Sequence, residues 1–469
     1  MLALLFMLVA APSLAAEPAF DPKPWLEDLD QVHEALGSKY ANLEWAVFER
    51  EADLPKLFAE TRSRIAQAGS EIEARAAFDR FVRLLGDEHV AFSWPKSPAQ
   101  AGSAADTCKA LGYDARSRAA PLAADIAGYR PISSPQSDTF PAGLIQDHIG
   151  VLKIGVFMPE GFPALCEAAL QALAVPADRP CDDACRDRVD HWVADRQTRD
   201  LMEQIRALNK AGATTLLVDI AGNGGGTEWA EAVARILTPI RLKSEEMDFV
   251  RGEHWAKHFA EDSESLRKYA GTATGSDRSM LLALADEADA KHAEALKPCD
   301  AAALWKGEHP PCRWLGKGFY GSGLLASADP ATLRGKPWAN DLFSPMEYPY
   351  EEGVWRGPLL VLVDRNVGSA AAEFTAVLQD NRAAIVIGEP TGGGCGHTDG
   401  GTPTVLSHSK ATFNVPDCAR MRADGSNEVM GIRPDVLVSF GSRDGPHQRA
   451  AHVLALLPAA VQRAAALSR

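Results

Sequence analysis

Residues 359–391 read LLVLVDRNVGSAAAEFTAVLQDNRAAIVIGEPT. The opening run, Leu359-Leu360-Val361-Leu362-Val363, has no polar position, which is what a strand covered on both faces requires. The alanine-rich stretch 369–380 has helical composition, and Ala384-Ile385-Val386-Ile387 is again a short branched strand. Strand, helix and strand in succession indicate an α/β layered core. The same pattern continues outward. Thr214-Thr215-Leu216-Leu217-Val218-Asp219-Ile220 is a second buried strand, followed by glycines and a helical stretch at 228–237. A further strand begins near Ile149, and helical spacing resumes over 183–211. The segments 403–407 and 411–415 have the pattern of a hairpin.

Farther out, Leu26, Leu29, Val32, Leu36 and Tyr40 recur at helical spacing, as do Leu54, Leu57, Phe58 and Ile65. The stretch 74–85 makes another helix that stops at Gly86. These readings divide the chain into an N-terminal helical domain (17–92), an irregular connection (93–148) and an α/β domain (149–440). Residues 241–356, long and tryptophan-bearing, read as an insertion in that domain, and 441–469 as a C-terminal helix.

The chain has 469 residues and a formal net charge of −15. Such a body repels nucleic acid and anionic membrane unless it carries a local basic patch, and no basic run occurs. Met1 to Ala16 is apolar but short for a bilayer span, and ends in Ser13-Leu14-Ala15, a small-x-small cleavage pattern. This predicts a signal peptide over 1–15, with a buried N-terminal helix as the alternative; no later segment reads as a membrane span. Eight cysteines fall in sequence-local pairs, suggesting disulfides 108–166, 181–185, 299–312 and 395–418. Zinc would favour Cys-x-x-Cys pairs, and none occurs. The cysteines therefore point to an exported protein, periplasmic or secreted.

Three stretches could carry chemistry. Asp219 to Glu228 includes Gly222-Asn223-Gly224-Gly225-Gly226, a strand-to-helix loop whose bare N–H groups suit an anion or an oxyanion. It lacks the phosphate-loop patterns Gly-x-Gly-x-x-Gly and Gly-Lys-Ser/Thr. Gly368-Ser369-Ala370 ends a strand and opens a helix, so the Ser369 hydroxyl lies near the positive end of a helix dipole. Serine is also a favoured helix N-cap, which is the plainer reading. Finally, Gly86-Asp87-Glu88-His89 places a histidine after the N-terminal helices, and a serine nucleophile needs such a base.

Taken together, the strand followed by Asn-Gly-Gly-Gly, the segment 359–391 with its Gly-Glu-Pro-Thr turn, and Glu428-Val429-Met430-Gly431-Ile432-Arg433-Pro434-Asp435 resemble the tail-specific (C-terminal processing) proteases, peptidase family S41. The resemblance implies a crotonase-like (ClpP/crotonase) layered sheet-and-helix core and an acyl-enzyme serine peptidase. Many members use a Ser–Lys dyad, but 392–396 reads Gly-Gly-Gly-Cys-Gly and no lysine lies between Ser369 and Lys410. The tricorn-like branch uses a histidine instead. It implies Ser369 as nucleophile, His89 as base and Glu428 as orienter, with Ala370 and Gly224 or Gly225 donating to the oxyanion. His397 is a rival base. The family often has glutamate three residues after the serine; here Ala372 holds that place and Glu373 follows.

The resemblance implies no metal or organic cofactor and a protein or peptide substrate; oligomeric state is not legible. Two other readings compete: a non-catalytic ligand-binding module on the same fold, and a zinc hydrolase using His254 and His258, in which Trp255 occupies the place of the required glutamate.

Overall fold

The 359–363 strand lies inside a seven-stranded sheet. A computed structural model describes residues 20–95, 107–114, 120–126, 128–134, 139–176, 181–395 and 404–467. The expected signal peptide and His397 lie outside the described residues. Across the sheet the strands run Val436–Leu437, Ile385–Gly388, Leu359–Val363, Thr215–Asp219, Ile149–Lys153, Ala142–Ile145 and Arg130–Pro131. The first five run parallel to one another, and Ala142–Ile145 and Arg130–Pro131 extend the sheet by antiparallel pairing at one edge.

Side chains alternate across a strand, and this explains the unbroken apolar runs. Leu359, Val361 and Val363 join Leu216, Val218 and Phe374 in one core, beneath the Asp183–Lys210, Trp229–Ile236 and Ala370–Asp380 helices. Leu360 and Leu362 join Leu217, Ile385 and Ile387 on the other face, covered by Val453, Leu457, Ala460 and Ala464 of the Pro446–Leu467 helix. Among the described residues this C-terminal helix is long and apolar enough, by length and composition, to cross a membrane. That corrects the reading that no later segment is. Its apolar stripe here packs on the sheet instead.

The N-terminal helices and the 241–356 segment are not separate bodies. Leu29, Phe78 and Phe81 share a core with Val250, Trp314, Leu406 and Phe413. Backbone pairing ties the same regions together. Ala91–Ser93 pairs with Thr412–Asn414, and Glu246–Val250 pairs with Cys418–Met421. Disulfides join 108 to 166, 181 to 185, 299 to 312 and 395 to 418, the four local pairs read from the sequence.

Candidate active site

Ser369 stands at the N-cap of the Ala370–Asp380 helix with φ 51° and ψ −132°. Such a conformation costs a non-glycine residue on the order of 1–3 kcal/mol and is kept only where the surroundings enforce it. An N-cap serine ordinarily engages its hydroxyl with the first turn; Ser369 makes no such bond. The plain capping role is therefore set aside, and the hydroxyl is left for the cleft that it lines.

The turn is held from the glycine loop. Asp364 Oδ1 accepts the N–H groups of Asn366 (3.0 Å) and Gly222 (2.9 Å), and so fastens the two strand ends to each other. Asn223 is fully buried; its amide donates to the Ile154 carbonyl at 3.1 Å, and its backbone carbonyl accepts from Gly368 at 3.3 Å. Beneath the loop, Lys153 Nζ lies 3.0 Å from Asp219 Oδ1 and donates to the Ala221 carbonyl. Gly225 has φ 108°, and a Cβ added there would meet the Ser369 Cβ at 2.6 Å and the Ala370 nitrogen at 2.9 Å. No side chain fits in that space, so glycine is required for the approach.

One expected oxyanion donor needs correction. The Gly225 N–H is already donated to Asn223 Oδ1 at 2.9 Å, closing an Asx turn. The Ala370 N–H, at the first helical position, has no partner inside its helix. The Gly224 N–H makes no hydrogen bond among the described residues.

Ser369 and Ala370 open on a cavity of about 480 Å³ shared with Thr227, Trp255, His258, Phe319 and Arg420. His258 faces Asp262 there, with Nε2 and Oδ2 3.6 Å apart, whereas His254 lies near Asp417 at another cavity. The two histidines of the zinc reading thus face different cavities. No group of three or more His, Cys, Asp or Glu suited to a metal occurs among the described residues.

His89 follows the Glu71–Leu85 helix, which Ser70 caps at one end and Gly86 ends in a left-handed conformation (φ 79°). Its ring lies against Gly394, where an added Cβ would stand 3.0 Å from Nδ1. Gly394 precedes Cys395, which lines the Ser369 cavity, so one short segment touches both side chains. No hydrogen bond joins His89 to Ser369, and Nδ1 has no hydrogen-bond partner.

Among the described residues, the carboxylate within 4 Å of an imidazole nitrogen of His89 is that of Asp87, at 3.7 Å, and not that of Glu428. Asp87 is buried. Its Oδ2 accepts from the Tyr40 hydroxyl and the Asn42 amide, each at 3.0 Å, and its Oδ1 from the His89 backbone N–H at 2.9 Å. Burial pushes its pKa up, but the nearby His89 ring and the hydrogen bonds from the Asn42 amide and the His89 backbone N–H outweigh that and hold it below the usual carboxylate value.

Glu428 is fully buried and lies 2.9 Å from Arg420 Nε. Arg420 also pairs with Glu373 and donates through Nη2 to the Gly394 carbonyl at 2.7 Å. Glu428 therefore reaches the His89 neighbourhood through Arg420 and Gly394, which corrects its expected role as direct orienter. Sequence reading assigned no role to Asp87 or Arg420, which the structure places in this neighbourhood. Asp87 was within the quoted Gly-Asp-x-His run, two positions from the histidine. Arg420, distant in sequence, gave no such signal.

A sequence model described as peptidase family S41 matches residues 188–438, more than half of the chain. No curated protein sequence is significantly similar. Among solved structures, mature CPAF superposes with a TM-score of 0.57 at 13% identity, over 95% of this chain and 98% of that one. Mature CPAF complexed with lactacystin gives 0.55 at 13% identity, over 95% and 99%. At that identity the likeness speaks for the fold, a mixed α/β layered architecture; the family match speaks for descent. The chain belongs to peptidase family S41, and its function is that of a serine peptidase acting on proteins or peptides.

Proposed function

We propose that the chain is an exported endopeptidase in which Ser369 is the nucleophile and His89 the general base. The observation that carries this reading is Ser369 itself: a serine held at positive φ, with its hydroxyl uncapped, against a glycine that no other residue could replace. His89 removes the hydroxyl proton, Oγ attacks the peptide carbonyl, and the N–H groups of Ala370 and Gly224 receive the oxyanion. The protonated imidazole then gives its proton to the leaving amine, and water releases the acyl-enzyme. Asp87 orients the imidazole, while Glu428 acts through Arg420 as a positioning residue. The Ser369–His89 hydrogen bond forms across the 392–395 segment when substrate is bound; such contacts are commonly long without it. Four disulfides support an oxidising compartment, either the periplasm or the exterior.

A fluorophosphonate probe tests this directly. The wild-type chain should be labelled and should cleave a peptide library at internal bonds; Ser369→Ala should lose both, by about 10⁴-fold or more in rate. His89→Ala should fall comparably while His397→Ala does not. A folded wild-type sample that takes no label would favour a ligand-binding module instead.

A further inference from the structure

The Cys395–Cys418 disulfide differs from the other three in where it lies. Cys395 lines the Ser369 cleft, and its neighbour Gly394 lies against the His89 ring. Two consecutive residues therefore border the proposed nucleophile and the proposed base.

Cys395 follows Gly392, Gly393 and Gly394, which have no side chains with which to anchor themselves. Glycine also has the most backbone freedom to lose on being ordered. The segment is nevertheless threaded through a tight space. A Cβ added at Gly393 would meet the Glu428 carbonyl oxygen at 1.9 Å and the Gly431 nitrogen at 2.8 Å. One added at Gly394, whose φ is 107°, would meet His89 Nδ1 at 3.0 Å and Cε1 at 3.3 Å. The space that forces glycine on the segment denies it side-chain anchors, so its position must be held from outside.

One short strand does this. Cys418 and Arg420 lie two positions apart in the Cys418–Met421 strand and so project to the same face. Cys418 is bonded to Cys395, and Arg420 Nη2 donates to the Gly394 carbonyl at 2.7 Å. The strand itself is well founded. It pairs over its whole length with Glu246–Val250, and Cys418 is buried in one apolar cluster with Phe249, Trp255 and Phe319. Arg420 is fixed in turn by Glu373 and Glu428. A single charge-assisted hydrogen bond would let the glycine segment pivot about the Gly394 carbonyl. The covalent grip on the next residue removes that freedom.

We infer that Cys395 and Cys418 are positioning residues for catalysis: their disulfide, together with Arg420, fixes Gly394 as the wall that holds the His89 imidazole in reach of Ser369. This role rests on the reading of His89 as the general base. The Cys181–Cys185 disulfide, which does not line the cleft, has no such part.

Steady-state kinetics on variants of the full chain test it. Cys395→Ala/Cys418→Ala should lower kcat about 10–100-fold with little change in KM, the effect expected when a catalytic group shifts by about 1 Å. Cys181→Ala/Cys185→Ala should keep the wild-type kcat. The readout that separates positioning from mere stabilisation is coupling to His89. In a His89→Ala background, removing Cys395 and Cys418 should lower the residual rate by less than about 2-fold, because no imidazole is left to position. Gly394→Ala keeps the cross-link and should also lower kcat about 10-fold or more by displacing the ring; it decides the matter if the double-cysteine variant does not fold. Wild-type kcat in a folded Cys395→Ala/Cys418→Ala chain or in Gly394→Ala, or a full further loss in the His89→Ala background, would overturn the proposal. Wild-type activity in His89→Ala alone would instead remove the base assignment, and this role with it.

Discussion

In the proposed mechanism two carboxylates are candidates to orient His89, and the distances separate them. Asp87 lies 3.7 Å from Nδ1 and is fixed by Tyr40 and Asn42. Glu428 is committed to Arg420. The two clusters meet where the Asn427 amide donates to Asn42 Oδ1 at 2.9 Å. Replacing Asp87 by asparagine keeps the shape but removes the charge that stabilises the imidazolium; kcat should fall about 10²–10⁴-fold with little change in KM. Glu428→Gln should reduce kcat less and lower thermal stability instead, because it leaves a buried guanidinium short of one anion. Steady-state kinetics and melting curves on both variants check the order. If Glu428→Gln proves the more damaging to kcat, Asp87 is not the orienter.

The elements that carry the site are fixed by what covers the sheet. The Leu359–Val363 strand delivers Ser369, and its position depends on both cores that it divides. The Pro446–Leu467 helix supplies one of them through four small or branched contacts at helical spacing. Leu457, 1% exposed, sits in that stripe. Leu457→Ala should destabilise the chain by about 2–5 kcal/mol in urea unfolding, whereas the same change at half-exposed Leu456 should cost well under 1 kcal/mol. Equal effects at the two positions would mean that the helix does not pack as described.

For the molecule as a whole, the buried carboxyls beside the cleft set a pH dependence. Glu245, Glu373 and Glu428 crowd around Arg420, with Arg422 near Glu245. Three carboxylates and so few cations cannot all stay ionised away from water. Burial first, then the charge of Glu428, pushes the Glu245 pKa well above its ordinary value. Burial raises that of Glu373 to about 8, with Arg420 opposing. Both groups keep a proton when folded at pH values where the unfolded chain, with its ordinary value of 4.5, has lost it. Their stabilisation is therefore complete below the unfolded value and is lost as pH rises towards the folded one. Unfolding free energy should fall between about pH 5 and about pH 8 by on the order of 1–3 kcal/mol, and Glu373→Gln should flatten that slope. A wild-type profile that is flat or rising over this range would contradict it.

Local pattern was enough for the layered core, because strands covered on both faces must be apolar throughout and cannot be mistaken for half-exposed ones. It also singled out the glycine loop and the Ser369 turn as strand-to-helix junctions, and suggested the four cysteine pairs, whose members lie close in sequence, whereas roles for Ser369 and His89 rested on the family resemblance. Tertiary structure alone decided which N–H groups of the loop remain free, that Asp87 rather than Glu428 approaches the imidazole, and that Arg420 joins Glu428 to Gly394. It also merged the N-terminal helices with the 241–356 segment into one core. The physical reason is the same in each case. Hydrogen bonds, ion pairs and shared cores between residues hundreds of positions apart depend on distances that no local periodicity encodes.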